Sequence, residues 1–384
     1  MFKYFVRVKS VFREIIFTSI SLFNDILSIL RYNNKKIKKY RGNNQTLVFV
    51  ADRTMPRIPK IGLELIKKGY YIILLTKQAT SFDREVFSEV IIYHSFLGLN
   101  FYTKKIKSNI IHVFSLWNFN TAYYLIKNKP GKIVFDDYDV LAGMVNEKYA
   151  SINLPNQYKK EKYCLENADA ICCRSIETQY AKRYMGYQIK GKRIFFPEYL
   201  WKESLAIDNI DKKEKVLVYA GNCNRFAIKI AEELQKIDWQ FDVYPAITKN
   251  IFKNIPHNLK LYKTVLPNKL IETLSNYQYA LLMPPELSEL EGVYTLNKRK
   301  YAMSGKIFDY LEANLKIVIS EYDFLIFLVK RYSSCIVLEK GKAIESLADK
   351  LASFQDENLL IKYDVNNIIL ENNINRLIKF YHSI

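Results

Sequence analysis

The chain has 384 residues, too many for one ordinary core and suited to two domains of about 150 to 200 residues. A hydrophobic fraction of 49% and an aromatic fraction of 14% exclude a disordered chain. The 58 Lys and Arg against 39 Asp and Glu give a formal charge of +19, which points to nucleic acid, anionic lipid or phosphorylated substrates, or simply to a lysine-rich solvated surface.

Residues 1–42 open basic and turn apolar, but no small-residue cleavage site follows. The longest uncharged stretch of this segment, Ile15 to Asn24, is far short of the roughly 20 residues that span a bilayer. The segment reads as an amphipathic helix with Phe5, Phe12, Ile16, Phe23, Leu27 and Leu30 on one side, followed by Lys35, Lys36, Lys38, Lys39 and Arg41. Such a helix suits an anionic membrane surface; packing on the first domain, or against another copy, is the alternative.

Residues 43–201 then run as strand, helix, strand: "TLVFVA", "MPRIPKIGLELIKKG", "YYIILLT". Continuous apolar runs alternating with helical periods predict a parallel sheet covered on both faces. The series continues through "VIIYH", "NIIHVFS", a helix near Asn120 to Lys127, "KIVFDD", a helix near Tyr158 to Asn167, and "ADAICCRS". Regularity lapses after "RIFFPEYL", and residues 202–214 read as a linker. A second series occupies residues 215–365, from "KVLVYAGN" through "WQFDVYPA", "LKLYKTV", the helix "PNKLIETLSNY", "YALLMPP", "KIVIS" and "SCIVLE"; residues 366–384 read as a terminal helix. The expected fold class is α/β, with two Rossmann-like doubly wound domains facing a cleft. Ligands of such sheets bind beyond the carboxyl ends of the strands, at the switch point.

Gly221 and Asn222 end a buried strand and precede a helix with Arg225 near its start. A residue without Cβ lets backbone amides approach an anion, and a helix start adds a favourable dipole. By itself the pattern is equally that of an ordinary turn, and it is no G-x-G-x-x-G dinucleotide fingerprint. Further on, Ser304 is placed to cap a helix that begins near Gly305 and carries Lys306 in its first turn, with Asp309 three residues later on the same face. Met303, Ile307, Tyr310 and Leu311 would face the core. Lysine and helix end can hold a diphosphate while the carboxylate accepts from both ribose hydroxyls. A solvated Lys306–Asp309 ion pair fits the spacing as well.

The segment "SGKIFDYLEANLKIVIS" resembles the K-x-x-E-Y-L-A-x-G-x-P-V-I stretch of bacterial GT-B glycosyltransferases of the group 1, family 4-like kind. "LVYAGN", "LPNKLIETLSNYQYALLMPP", "VFDDYDV" and "ENADAICCRS" resemble other segments of that family in the same order, from about Thr46 to Leu338. The resemblance implies that Lys306 contacts the donor phosphate and Asp309 the ribose, with Gly221, Asn222 and Arg225 bordering the diphosphate and Pro284 and Pro285 the base. It further implies a nucleotide diphosphate sugar as co-substrate and no cofactor. Tyr301 stands where retaining members with an E-x7-E pair carry the first Glu, so inversion is expected. Inversion needs a base from the acceptor side. Asp136 and Asp139 end a buried strand, with Asp137 between them, and Asp52 after the first strand is their rival. Arg53 and Arg57 could bind an acceptor phosphate, although capping carboxylates and ordinary loop charges fit these positions too.

The expected function is sugar transfer to a lipid-linked surface glycan at the cytoplasmic face of the membrane. The alternatives are a nucleotide-sugar 2-epimerase and a non-catalytic partner of a transferase. Neither nucleic acid nor metal is expected as a partner. No recognition helix, zinc-finger spacing or RNA-binding aromatic motif occurs, and His94, His112, His257 and His382 are scattered. Five cysteines without paired spacing fit buried thiols in a reducing compartment. No G-x-S-x-G elbow marks a hydrolase.

Overall fold

The computed structural model describes residues 19–29, 45–201, 212–221, 226–245, 255–282, 292–321, 325–354 and 365–384. In the first half, strands β1 (Thr46–Arg53), β2 (Tyr71–Gln78), β3 (Glu89–Ile92), β4 (Ile110–Leu116), β5 (Lys132–Asp139), β6 (Ala170–Cys173) and β7 (Lys192–Phe195) form one parallel sheet in the order β3-β2-β1-β4-β5-β6-β7. Around it lie α1 (Arg57–Lys67), α2 (Ser81–Val86), α3 (Phe96–Ile106), α4 (Asn120–Asn128), α5 (Glu147–Asn153), α6 (Gln157–Asn167) and α7 (Glu177–Tyr184). The second half pairs β8 (Lys213–Ala220), β9 (Gln240–Tyr244), β10 (Leu259–Leu261), β11 (Tyr277–Leu281), β12 (Lys316–Ser320) and β13 (Cys335–Leu338) in the order β10-β9-β8-β11-β12-β13, all parallel. Its helices are α8 (Phe226–Gln235), α9 (Pro267–Leu274), α10 (Leu296–Tyr301), α11 (Lys306–Glu312), α12 (Ile326–Tyr332), α13 (Leu347–Ala352) and α14 (Leu370–Ser383).

The apolar runs form central strands because both of their faces are covered. Alternate residues of β1 enter two different cores: Val48 and Val50 join one, Leu47, Phe49 and Ala51 the other. The second sheet repeats this, with Val218 and Ala220 on one side and Leu217 and Tyr219 on the opposite side. Each sheet reverses its strand order once, between β1 and β4 and between β8 and β11. Those two switch points are where doubly wound sheets open a crevice.

The terminal helix α14 returns to the first half. Leu370, Ile374 and Leu377, at helical spacing, are buried in the same core as Phe49. Its Tyr381 hydroxyl is 2.6 Å from His112 Nδ1, and Arg376 Nη1 donates to the Tyr199 hydroxyl at 2.7 Å.

Of the amino-terminal segment, residues 19–29 are helical, while Phe5, Phe12, Ile16, Leu30 and the basic run lie outside the described residues. The helix is bolted to the first half by Asp25, 1% exposed, which accepts from the His94 N–H at 2.8 Å and the Ser95 hydroxyl at 2.5 Å. The helix thus packs on the fold, yet Ile20, Phe23 and Ile26 remain 54%, 60% and 46% exposed. Among the described residues no helix is long and apolar enough to cross a membrane.

Candidate active site

At the switch point of the second sheet, β8 and β11 end side by side and Tyr310 ties them together. Its hydroxyl donates to the Leu281 carbonyl at 3.0 Å and accepts from the Ala220 N–H at 3.1 Å. Ile307 and Tyr310 are fully buried, with Met303 and Leu311 packed on the same core, so the apolar face of α11 is the expected one. The expected cap is not. Gly305 occupies the cap position with dihedrals that are already helical (φ −62°, ψ −25°), and no side chain caps the helix; a side-chain cap such as Ser304 needs an extended residue there.

Gly221 lies directly against Lys306. A Cβ on Gly221 would stand 2.5 Å from Lys306 Cε and 2.7 Å from the Tyr219 hydroxyl, so only glycine lets strand end and lysine approach this closely. The Lys306 ammonium lies 5.6 Å from the Tyr219 ring centroid and has no carboxylate within ion-pair distance among the described residues. Lys60, Arg174 and Lys298, by contrast, are paired. Lys60, on α1 of the first half, donates to both oxygens of Glu312 at 2.9 and 3.1 Å and lies 3.9 Å from Asp309. Burial pushes the Asp309 carboxyl up to about 7; Lys60 pulls it down, Glu312 and Glu198 push it up, and Lys306 opposes them. Asn222, Arg225, Pro284 and Pro285 lie outside the described residues.

Across the cleft, Asp136 and Arg57 are not where the sequence places them functionally. Asp136 is fully buried, and its Oδ2 accepts from Arg57 Nε and Nη2, both at 3.3 Å. Arg57 is 3% exposed and gives its other donors to the Phe196 carbonyl at 2.6 Å and the Pro197 carbonyl at 2.7 Å. Burial pushes the Asp136 carboxyl up, but Arg57 and His112 outweigh it and leave the carboxyl lowered. So enclosed a carboxylate meets no acceptor hydroxyl, and so engaged a guanidinium offers nothing to an acceptor phosphate. The pair is a buried counter-ion couple, a correction to both expectations. His112, Asp136 and Cys172 bring metal-ligand atoms within 4.8 Å of one another, but the cation already among them is Arg57, 3.6 Å from Cys172 Sγ.

Asp139, at the end of β5, does face the cleft, as a counter-ion. It accepts from Arg174 Nη2 and from Lys298 Nζ, each at 2.8 Å. Burial pushes its carboxyl up, and Lys298 and Arg174 more than offset this, leaving it lowered. A carboxylate held between two cations is a weak base. Lys298 arrives on a strap from the second half that sequence reasoning missed. The Asn146 N–H donates to the Val293 carbonyl at 2.9 Å and the Thr295 N–H to the Met144 carbonyl at 2.9 Å. Asn297 Nδ2 donates to the Gly143 carbonyl at 3.1 Å and to the Tyr180 hydroxyl at 2.8 Å. Gly143 has φ +72°, and a Cβ there would stand 2.3 Å from the Tyr180 ring. Lys298 also donates to Glu177 at 3.0 Å.

The third carboxylate, Asp52, lies at the switch point of the first sheet. Its Oδ1 accepts from the Tyr93 and Thr121 hydroxyls, both at 2.7 Å, and Lys77 Nζ is 3.1 Å away. Its Oδ2 accepts from Asn118 Nδ2 at 3.2 Å. Asn118 is exposed and the Asp52 side chain is 24% exposed, and Oδ2 meets one donor among the described residues where Oδ1 meets three cationic or hydroxyl groups. Arg53, next in the chain, is exposed.

No known family profile matches the chain, nor does any curated protein. Solved structures do. Sucrose-phosphate synthase from Thermosynechococcus elongatus is 11% identical, with a TM-score of 0.61 over 88% of this chain and 98% of that one. Anabaena HepE, solved in complex with UDP and glucose, is 9% identical, with a TM-score of 0.62 over 88% and 100% of the two chains. WaaG, a glycosyltransferase involved in lipopolysaccharide biosynthesis, is 11% identical, with a TM-score of 0.55 over 79% and 89%. At such identities the likeness is one of fold, and the two facing parallel sheets are those of the GT-B architecture of glycosyltransferases.

Proposed function

We propose that the protein is an inverting glycosyltransferase that moves a sugar from a nucleotide diphosphate sugar to a lipid-linked glycan acceptor in surface polysaccharide assembly, at the inner face of the cell membrane. The observation that carries this reading is Lys306, without a carboxylate partner among the described residues, pressed against Gly221 at the β8/β11 switch point, with Asp309 one turn further along the helix. An ammonium without a counter-ion attracts a diphosphate, and a carboxylate one turn away receives the ribose hydroxyls. HepE, whose fold this chain shares, binds UDP-glucose, which makes UDP the nucleotide to try first. The nucleotide sugar serves as co-substrate, with no further cofactor.

In this reading Asp52 is the general base. Oδ1 is fixed by the Tyr93 and Thr121 hydroxyls and Lys77, and Oδ2 takes the acceptor proton as the hydroxyl oxygen attacks the anomeric carbon. The bond to the diphosphate breaks as the new glycosidic bond forms, and Lys306 stabilises the charge gathering on the leaving nucleoside diphosphate. Arg53 remains the arginine free to meet an acceptor phosphate. A bilayer-facing orientation is supported by Ile20, Phe23 and Ile26, which are exposed on a helix bolted beside Phe96 (40% exposed) and Leu97 (61% exposed), and by the basic run that follows that helix in the sequence. The test is release of UDP from UDP-glucose with and without a lipid-linked sugar acceptor. Acceptor-dependent release is expected. Absence of any UDP binding by calorimetry would overturn the proposal.

A further inference from the structure

Lys60 makes two contacts from α1 of the first half to α11 of the second. Its ammonium donates to Glu312 Oε1 at 2.9 Å and Oε2 at 3.1 Å, and Asp309 Oδ1 lies 3.9 Å away. The first contact is a bridge. The Glu312 side chain is wholly enclosed, and its Oε1 also accepts from the Trp201 N–H at 2.7 Å, so Lys60 and Trp201 together fix it. The second contact is of another kind: 3.9 Å is too long for a hydrogen bond but close for two opposite charges in a half-enclosed cleft. A bridge between the halves needs only Lys60 and Glu312. The ammonium nevertheless stands beside a second carboxylate, one that keeps 21% of its side chain open to the cleft.

Four charged groups face Asp309. Glu312 and Lys306 come from its own helix, Glu198 and Lys60 from the first half. Glu198 lies in turn 3.8 Å from Arg57 and 3.7 Å from Arg174. Burial is the largest influence pushing the Asp309 carboxyl up; Lys60 is the strongest pulling it down, ahead of Lys306, while Glu312 and Glu198 add to the push. A donor diphosphate on Lys306 engages that lysine's charge and adds negative charge of its own. Asp309 then faces two carboxylates and a diphosphate, and a carboxyl so placed takes up a proton unless a cation opposes it. Once protonated, it surrenders one oxygen to its own O–H and no longer accepts from both ribose hydroxyls. Lys60 is the cation left to prevent this.

We infer that Lys60 is a positioning residue of the donor site, contributed by the opposite half: it keeps Asp309 an acceptor for the ribose hydroxyls while the diphosphate occupies Lys306, and Glu312 holds it in place. The inference rests on the glycosyltransferase reading and deepens it, because donor affinity then follows proton concentration under the control of a residue from the other half.

The test is calorimetric titration of UDP-glucose, whose diphosphate has no group that titrates near neutrality, into the full-length protein from about pH 5.5 to about pH 8.5. Wild-type affinity is expected to rise with pH through a midpoint of about 7. Lys60→Met removes the charge and keeps the stem. An opposite charge at this range shifts a carboxyl by about one unit or more, so the midpoint should move up by about one unit, affinity at pH 7 should fall about fivefold, and the loss should shrink to about twofold or less at pH 8.5. Glu312→Gln keeps an acceptor for the Trp201 N–H, removes a repelling charge and should move the midpoint down. Either change weakens a simple bridge, so affinity lost in both variants at every pH would overturn the inference. In an Asp309→Asn background, Lys60→Met should alter affinity by less than about twofold; an undiminished loss there would show Lys60 acting on the nucleotide or on the fold, and would overturn it too. Thermal melts accompany each variant. If Lys60→Met does not fold, the pair Lys60→Met and Glu312→Gln, which strands no charge, replaces it; a smaller upward shift is expected, and no shift counts against the inference. Wild-type protein that binds no UDP-glucose at any pH would overturn the donor reading and the inference with it, whereas binding whose midpoint ignores both variants would overturn the inference alone.

Discussion

Replacing Lys306 by alanine removes a cation that meets no carboxylate among the described residues. Because no ion pair is broken, no buried charge is stranded. The change should fall among surface-type substitutions, within about 0.5 kcal/mol of wild-type stability. Donor binding should respond quite differently. A charge-assisted contact to phosphate contributes roughly 1.5 to 3 kcal/mol, which corresponds to a weakening of about 10- to 150-fold in UDP affinity. Gly221→Ala provides an independent route to the same loss. Its Cβ would stand 2.5 Å from Lys306 Cε, far inside the ~3.5 Å of ordinary carbon contact, and the flexible end of the lysine is what yields. Calorimetric titration of UDP into wild type and both variants, with thermal melts alongside, checks both parts. A folded Lys306→Ala protein with unchanged UDP affinity would refute the assignment of the diphosphate to this lysine.

Asp52→Asn keeps the hydrogen-bonded frame but not the base; kcat should fall by about 100-fold or more with UDP affinity within twofold, and intact turnover would move the base elsewhere. Asp309, its carboxyl pushed up to about 7, is protonated in acid and cannot then accept from both ribose hydroxyls. UDP affinity should therefore weaken as pH drops below about 7, and Asp309→Asn should flatten that dependence in a titration series from pH 6 to 8. Stability carries the opposite sign. The folded value lies above the ordinary 3.8, so the folded state holds the proton more tightly, and this contribution is lost as pH rises from about 3.8 to about 7. Asp137 is 3% exposed, has no hydrogen-bond partner for either oxygen among the described residues, and is pushed well up by burial and by Glu161. Burial favours its protonated form, which an amide imitates in shape and charge, so Asp137→Asn should shift stability by less than about 1 kcal/mol, and a large loss in a thermal melt would show the carboxyl to be ionised.

Much of the fold was legible because it rests on local pattern. Runs such as "TLVFVA" and "KVLVYA" are buried on both faces, and their lack of alternation is what a covered parallel sheet requires. Gly221 and Lys306 could be singled out as candidates because they sit at a strand end and a helix start, but an ordinary turn fits those positions equally, and only the fold shows that the two lie against each other. Ser304 was misread because a serine before a helix signals a cap only when the backbone at the cap position is extended, and dihedrals are not written in residue type. The strap was invisible. Lys298 and Asp139 are 159 residues apart in sequence, and nothing in the composition of residues 292–301 announces that they leave one sheet to pair with the other half.

In the proposed mechanism the choice of base turns on strand order rather than strand ends. Asp52, Asp136 and Asp139 all occupy the carboxyl-terminal part of a buried parallel strand, so pattern alone treats them alike. Strand order separates them. β1 borders the switch point, whereas β5 has neighbours on both sides that run on in the same direction of winding. Side chains at the end of β5 therefore meet the covering layer: Arg57 closes over Asp136, and Arg174 and Lys298 take Asp139. Between β1 and β4 the helices diverge to opposite faces and leave a gap, so the donors around Asp52 come from side chains 41, 66 and 69 residues away that rim the gap without filling it. The carboxylate that stays open is the one beside which the sheet itself leaves room for a substrate.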